Sequence, residues 1–271
     1  MGKLSNGWSM TKLSLRIIAR NKRLLLFPVI SGVFILAILA SFVGVMFLNG
    51  SLLSPNIDAL FIAFWAAFYF VSFFISIFFN VALVSCAMKE LDGERTTLSY
   101  GIAQARLRIR PILGWALLAA TVGLILKSIQ ERSGVLGRII IGFIGAAWAI
   151  TTYFVIPVIA FEGLGPFASI KRSLGLLRGT WGEAAIANIG IGLVFGLAAL
   201  AGLIPIILAF VLGGVTIGLL VLLVVIVYWV VLGILASAAS GILRASLYRF
   251  ATTGKMAEGF PEQVLRNPGA P

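Results

Sequence analysis

Long apolar runs alternate along the chain with short segments where basic residues gather. Five of the runs, 24–57, 59–88, 111–126, 139–161 and 184–243, contain no charged residue. A helix crossing a bilayer needs about 20 apolar residues, each rising about 1.5 Å, to span a hydrocarbon core about 30 Å thick. Measured by that length, the runs predict six spanning helices, near Leu24–Leu48, Ala59–Met88, Pro111–Leu126, Ile139–Phe161, Ala184–Leu212 and Val215–Leu243. The run 184–243 is too long for one crossing, and Gly213-Gly214 near its middle supplies a tight turn, so it predicts a helical hairpin. The third run is short, reaching only about 24 Å unless Lys127 snorkels outward along its stem.

The cations orient these spans. With both termini in the cytoplasm, 18 of the 21 Lys and Arg residues fall inside, and only Lys127, Arg132 and Arg138 fall outside. Making the third run re-entrant would reduce the split to 14 against 7, so six crossings are preferred. The first run is about 25 residues long with no A-x-A cleavage site after it, which predicts a retained span rather than a signal peptide. Residues 1–253 thus form a single six-helix membrane domain, and the Gly-, Pro- and charge-bearing stretch 254–271 a poorly ordered cytoplasmic tail.

Composition narrows the chemistry. With 61% apolar and 11% charged residues the chain is too greasy for a soluble globular protein. It has no histidine, the commonest neutral-pH general base and metal ligand, and its one cysteine, Cys86, can form no internal disulfide or thiolate cluster. No catalytic residue, metal site or cofactor is therefore expected. The net charge of +12 flanks apolar runs, which points to anionic lipid headgroups and not to nucleic acid.

A weak repeat organises the basic segments 8–23, 99–114 and 167–182, each of which precedes a pair of spans. A shift of 68 places Ile102 on Ile170, Ile109 on Leu177 and Arg110 on Arg178; a shift of 159 places Lys12 on Lys171, Ser14 on Ser173, Leu15 on Leu174 and Ile18 on Leu177. Each segment has an apolar side: Trp8, Leu15 and Ile18; Tyr100, Ala103 and Leu107; or Phe167, Ile170, Leu174 and Leu177. A helix of that kind lies in the headgroup plane with its basic residues at lipid phosphate. The predicted fold is all-α: three transmembrane hairpins, each preceded by an amphipathic interfacial helix. The candidate headgroup residues are Lys12, Arg16, Arg20, Lys22 and Arg23, then Arg106, Arg108 and Arg110, then Lys171, Arg172 and Arg178. The bland alternative is three juxtamembrane loops that look alike only because all are cytoplasmic and basic.

Several stretches carry a resemblance: Gly7-Trp8 with the basic run into Phe27-Pro28, Asn80 to Gly101 with Leu91-Asp92-Gly93-Glu94, Phe161-Glu162-Gly163, and Thr180-Trp181-Gly182-Glu183. Together they resemble an uncharacterised prokaryotic family of six-span integral membrane proteins, over nearly the whole chain. More distantly the chain is similar to the membrane domain attached to some glycerophosphodiester phosphodiesterases. The resemblance implies a six-helix fold in a prokaryotic plasma membrane and brings no catalytic residues.

The remaining polar features have structural readings. Gly93 ends a helix, Thr96 or Thr97 caps the next, and Asp92 and Glu94 balance nearby cations. Glu162, Gly163, Gly165 and Pro166 make a helix stop and a helix start, with Glu162 facing Lys171, Arg172 and Arg178. Asn80 and Asn188 pack helix against helix or, alternatively, line a polar path. Pro157 and Pro205 kink their helices. Gly192-x-x-x-Gly196 and Gly233-x-x-x-Ser237-x-x-x-Gly241 put small residues on one face for close packing, within the chain or against a second copy or another membrane protein. A non-catalytic scaffold binding anionic lipid is favoured; a channel, transporter or lipid-moving protein with a path near Asn80 and Asn188 is the alternative.

Overall fold

The computed structural model describes residues 3–48 and 59–254, with side chains over 11–48, 61–178 and 190–254. Among the described residues there is no strand. In chain order, α1 (Lys3–Arg20) and a single 3-10 turn (Lys22–Leu25) lead into α2 (Leu26–Leu48), α3 (Ala59–Leu91) and α4 (Leu98–Leu107). Then come α5 (Ile109–Arg132), α6 (Val135–Thr151), α7 (Val155–Glu162), α8 (Pro166–Ala201) and α9 (Leu203–Thr253).

Among the described residues five helical stretches are long and apolar enough to cross a membrane: Lys22–Leu48, Phe61–Leu91, Ile109–Arg132, Val135–Glu162 and Gly190–Thr253. The third outlasts its charge-free run. Its 24 residues reach about 36 Å, because the helix continues past Lys127, which pairs with Glu131 one turn on at 3.8 Å. The fifth runs for 64 residues where the sequence predicts two spans. Within it the chain turns back. Gly214 leaves helical conformation with φ 69° and ψ −172°. Beyond it the Tyr228 hydroxyl donates to Ala198 O at 2.7 Å, and Trp229 Nε1 donates to Ala199 O at 3.0 Å. Thirty residues of straight helix would hold those groups about 45 Å apart. Ala199 and Trp229 are equidistant from Gly214, and so are Phe210 and Gly218, where the Phe210 ring fills the space a side chain on Gly218 would need.

By contact the chain divides into two compact units, one of Met1–Leu25, Ala87–Arg95 and Gly179–Pro271, the other of Leu26–Cys86 and Thr96–Arg178. In the first, α1 and the 3-10 turn lie against α9. From Thr11 onward α1 buries Thr11, Leu13, Ser14, Ile17 and Ile18, and the buried residues of α9 concentrate between Ala238 and Tyr248.

In the second unit α3 returns along α2, with Phe42 against Phe64 and Phe68 at ring separations of 4.0 and 5.3 Å, and Phe34 against Phe79 at 6.1 Å. The rings of Trp115 in α5 and Trp148 in α6 stack at 5.9 Å. The end of α3 is fully buried from Val81 to Val84, and α4 folds back along it. There Gly101 sits against Ala82 O, Cys86 Sγ and the Phe27 ring so closely that a Cβ would clash at 2.6–2.9 Å.

Both expected proline breaks occur, each displaced upstream. Pro157 cannot donate to the carbonyl of Tyr153, and α6 gives way to α7 across Thr152–Phe154. Pro205 cannot donate to Ala201, and the break falls at Gly202. The interfacial helices need a correction too. The third is not separate, since α8 runs unbroken from Pro166 to Ala201, and the second is parted from its span only by Arg108. The sides of these segments that pack within the protein are not the apolar sides of the pattern alone. Leu107 and Phe167 are 71% and 75% exposed, whereas Ser14, Ala105 and Ser173, at equivalent places in the repeat, are at most 2% exposed. Small residues permit the close approach of these segments to their neighbours, and hydropathy does not register that.

Candidate functional site

The basic segments are fastened by their helix ends. Lys89 to Glu94 closes α3 with Glu94 N donating to Lys89 O and Gly93 N to Glu90 O, both at 3.1 Å, around Gly93 at φ +85°. This is the paired-bond helix stop that a left-handed glycine makes possible. Thr97 then caps α4, its hydroxyl accepting from Tyr100 N at 3.3 Å. The acids are held by cations as expected: Lys89 with Glu94 at 2.9 Å, and Arg249 Nη2 with Asp92 at 2.8 Å. Arg249 Nη1 also donates to Leu91 O at 2.7 Å, and Asn21 donates to Glu90.

The second stop repeats the design. Gly163, at φ +65°, ends α7, and Pro166 opens α8. Arg172 Nε reaches both oxygens of Glu162 at 2.8 and 3.1 Å, while Lys171 and Arg178 are exposed. Arg108 takes a place that local sequence does not announce. Its guanidinium covers Gly163 and donates to Ala160 O at 3.5 Å, a cation at a helix C-terminus.

The candidate cations therefore divide by task. Arg108 and Arg172 hold the end of α7. Lys12, Arg16 and Arg20 repeat every four residues along the exposed side of α1, and Lys22 and Arg23 are exposed just beyond it. Arg106 and Arg110 are exposed beside Leu107 and Leu113. In α8 the series Phe167, Lys171, Leu174 and Arg178 falls at i, i+4, i+7 and i+11, one face of the helix, and all four side chains are exposed.

The polar and small residues of the spans are placed as follows. Asn80 donates to Ser76 O of its own helix at 2.9 Å, and the side chain of Asn188 lies outside the described residues. At Gly192, Gly196 and Gly233 an added Cβ would meet nothing within 4 Å, whereas Gly241 is buried and Ser237 half-buried. Among the described residues no cluster of His, Cys, Asp or Glu is placed to hold a metal ion.

The family model for DUF6159, a family of unknown function, matches residues 57–259. The chain belongs to that family. No curated protein and no solved structure matches it. The DUF6159 match takes in α4 and the start of α8, hence both glycine stops and the exposed face of Phe167 to Arg178, and it begins after α1 and α2.

Sequence reading missed Ser173, Tyr228 and Trp229 as bonding groups. The register of the fold-back could have found the last two, since a turn at Gly214 sets Trp229 opposite Ala199, beside the break that Pro205 enforces.

Proposed function

We propose that this protein is a non-catalytic scaffold of a prokaryotic plasma membrane that gathers anionic lipid headgroups at basic helix faces. The observation that carries it is the alternation of exposed apolar and basic side chains on one face of α8, Phe167, Lys171, Leu174 and Arg178. At a bilayer surface the ring and the leucine enter the acyl boundary while the lysine and arginine stems extend to phosphate. Each cation near an anionic surface adds about 1 kcal/mol. Arg106 and Arg110 beside Leu107 offer the same pairing, and Lys12, Arg16 and Arg20 add a basic row on α1.

The accompanying topology has six crossings in three hairpins, with both termini and all three basic segments in the cytoplasm. It is supported by the reversal at Gly214, by the ring contacts between α2 and α3 and between α5 and α6, and by the 18-to-3 distribution of cations.

The test is thermal stabilisation of the purified protein in mixed micelles doped with phosphatidylglycerol or phosphatidylcholine. Phosphatidylglycerol should raise the midpoint more, and Lys171→Gln with Arg178→Gln should remove most of the difference. These two are chosen because they are exposed and have no part in the stop at Gly163. Equal response to both lipids in the unaltered protein rejects the reading.

A further inference from the structure

Four polar side chains of α3, Tyr69, Ser72, Ser76 and Asn80, stand at i, i+3, i+7 and i+11, within about 80° of one another on one helix face. They lie inside a stretch, 59–88, that holds no charge. We infer that this face carries a short file of water molecules within the bilayer, bound between α3 and α5. The inference rests on α3 crossing the membrane and takes nothing from the binding of anionic lipid.

The other hydroxyls of the spans set the contrast. Ser41, Ser85, Thr121 and Thr152 each donate to the carbonyl one turn back in their own helix, at 2.8 Å. Ser72 and Ser76 do not. Among the described residues neither hydroxyl has a hydrogen-bond partner, and neither has that of Tyr69. Asn80 spends one N–H on Ser76 O, which leaves its own side-chain oxygen without a donor. In hydrocarbon such groups are costly unless something bonds to them. The face is not turned to lipid. Tyr69 reaches across to α5, its hydroxyl 2.8 Å from where a Cβ on Gly123 would stand, and further along the same face of α3 Leu83 and Ala87 are buried. The side of α5 that bears Gly123 presents Ile112, Ala116 and Ala120, all buried and with no polar group among them.

Spacing and charge name the occupant. Groups four residues apart stand about 6 Å apart along a helix, and a water that donates at one end and accepts at the other spans about 5.6 Å. One water per turn therefore joins Ser72 to Ser76 and Ser76 to Asn80, each with the two or more polar partners that a buried water needs. With α5 on this face a helix from another chain has no way in, and a lining of hydroxyls and an amide has no charge with which to hold an ion. Ser72 Oγ is enclosed and Tyr69 closes on Gly123, so the file is tightest there and stops short of crossing the bilayer.

The experiment is thiol reactivity of the full chain in phosphatidylcholine liposomes, using methyl methanethiosulfonate, a small neutral reagent that crosses bilayers, with modified protein measured by mass spectrometry. Only the thiolate reacts, and a thiol in hydrocarbon titrates well above its ordinary value of about 8.5, each unit upward lowering the thiolate about tenfold. Ser76→Cys should therefore react at least about tenfold faster than Ser41→Cys, which sits on an exposed face of α2. Cys86 is wholly buried, and the unaltered protein gives its background. Asn80→Leu added to Ser76→Cys should bring the rate down towards that of Ser41→Cys. Equally slow reaction at both positions overturns the inference, and so does a Ser76→Cys rate that ignores Asn80→Leu. Equally fast reaction at both would take the spans themselves out of hydrocarbon, and the inference with them. The liposomes hold no anionic lipid, so the contrast between the two cysteines does not depend on headgroup binding by α8.

Discussion

The hydroxyl of Ser173 accepts a hydrogen bond from the amide of Phe154 at 3.1 Å and donates its own proton to Thr151 O at 2.7 Å. One side chain thus bridges the gap that Pro157 opens between α6 and α7. Phe154 is fully buried, so without the hydroxyl its N–H has no water to turn to. Ser173→Ala should therefore destabilise the protein by about 1–3 kcal/mol, the cost of a buried donor left unmade. Ser41→Ala is the control. That hydroxyl returns to the Ala37 carbonyl of its own helix on an exposed face, and its loss should be nearly silent. Reversible unfolding in mixed micelles measures both, and equal behaviour of the two variants would show that the bridge adds nothing.

The left-handed glycines at the two stops, Gly93 and Gly163, should not be equally sensitive. At Gly93 an added Cβ meets nothing within 4 Å, so Gly93→Ala carries only the left-handed penalty of about 1–2 kcal/mol. At Gly163 the Cβ would also lie 2.6 Å from Arg108 Nη1, so Gly163→Ala should cost more. Arg108→Ala should cancel the excess in the double variant and leave the backbone penalty. Additive effects in that cycle would place the guanidinium elsewhere.

Arg249 makes two directed bonds, to the Asp92 carboxylate and to Leu91 O, from two nitrogens of one planar guanidinium, a fixed fork that an ammonium does not reproduce. Asp92 is half exposed, so the ion pair itself is screened and the carbonyl bond carries more of the effect. Arg249→Lys is expected to cost about 1 kcal/mol, with little coupling to Asp92→Asn. A coupling as large as the whole loss would make the carboxylate the main partner.

These relationships show where the sequence was legible. Gly93, Thr97, Gly163 and Pro166 announce their roles because a left-handed stop, a hydroxyl cap and a first-turn proline act within three or four residues. Gly214 was legible for the same reason. Ser173 was not, since its partners are 19 and 22 residues away and its type says nothing of a gap in another helix. Arg108 and Arg249 were visible as charges but not as caps of α7 and α3. The sides of the basic segments that face the protein were not legible, because close packing there selected Gly101, Ala105 and Ser169, small residues that hydropathy does not single out, while Leu107 and Phe167 stay exposed.

Sidedness can be tested without building a cysteine-free background. Cys86 is fully buried and its sulfur lies 3.5 Å from Thr97 O, so an impermeant maleimide should leave the folded protein unlabelled. New cysteines then report alone. Leu136, 72% exposed at the start of α6, belongs to the segment whose three cations the proposed topology leaves outside, and Phe167 to the basic face of α8. In intact cells Leu136→Cys should label and Phe167→Cys should not. Phe167→Cys should label once the membrane is opened. The reverse pattern would turn the protein over and set 18 of its 21 cations on the outer surface, against the bias that normally keeps Lys and Arg in the cytoplasm. Labelling of both sites in intact cells would put both on the outer side, and Val135–Glu162, the one candidate span between them, could not be a single crossing.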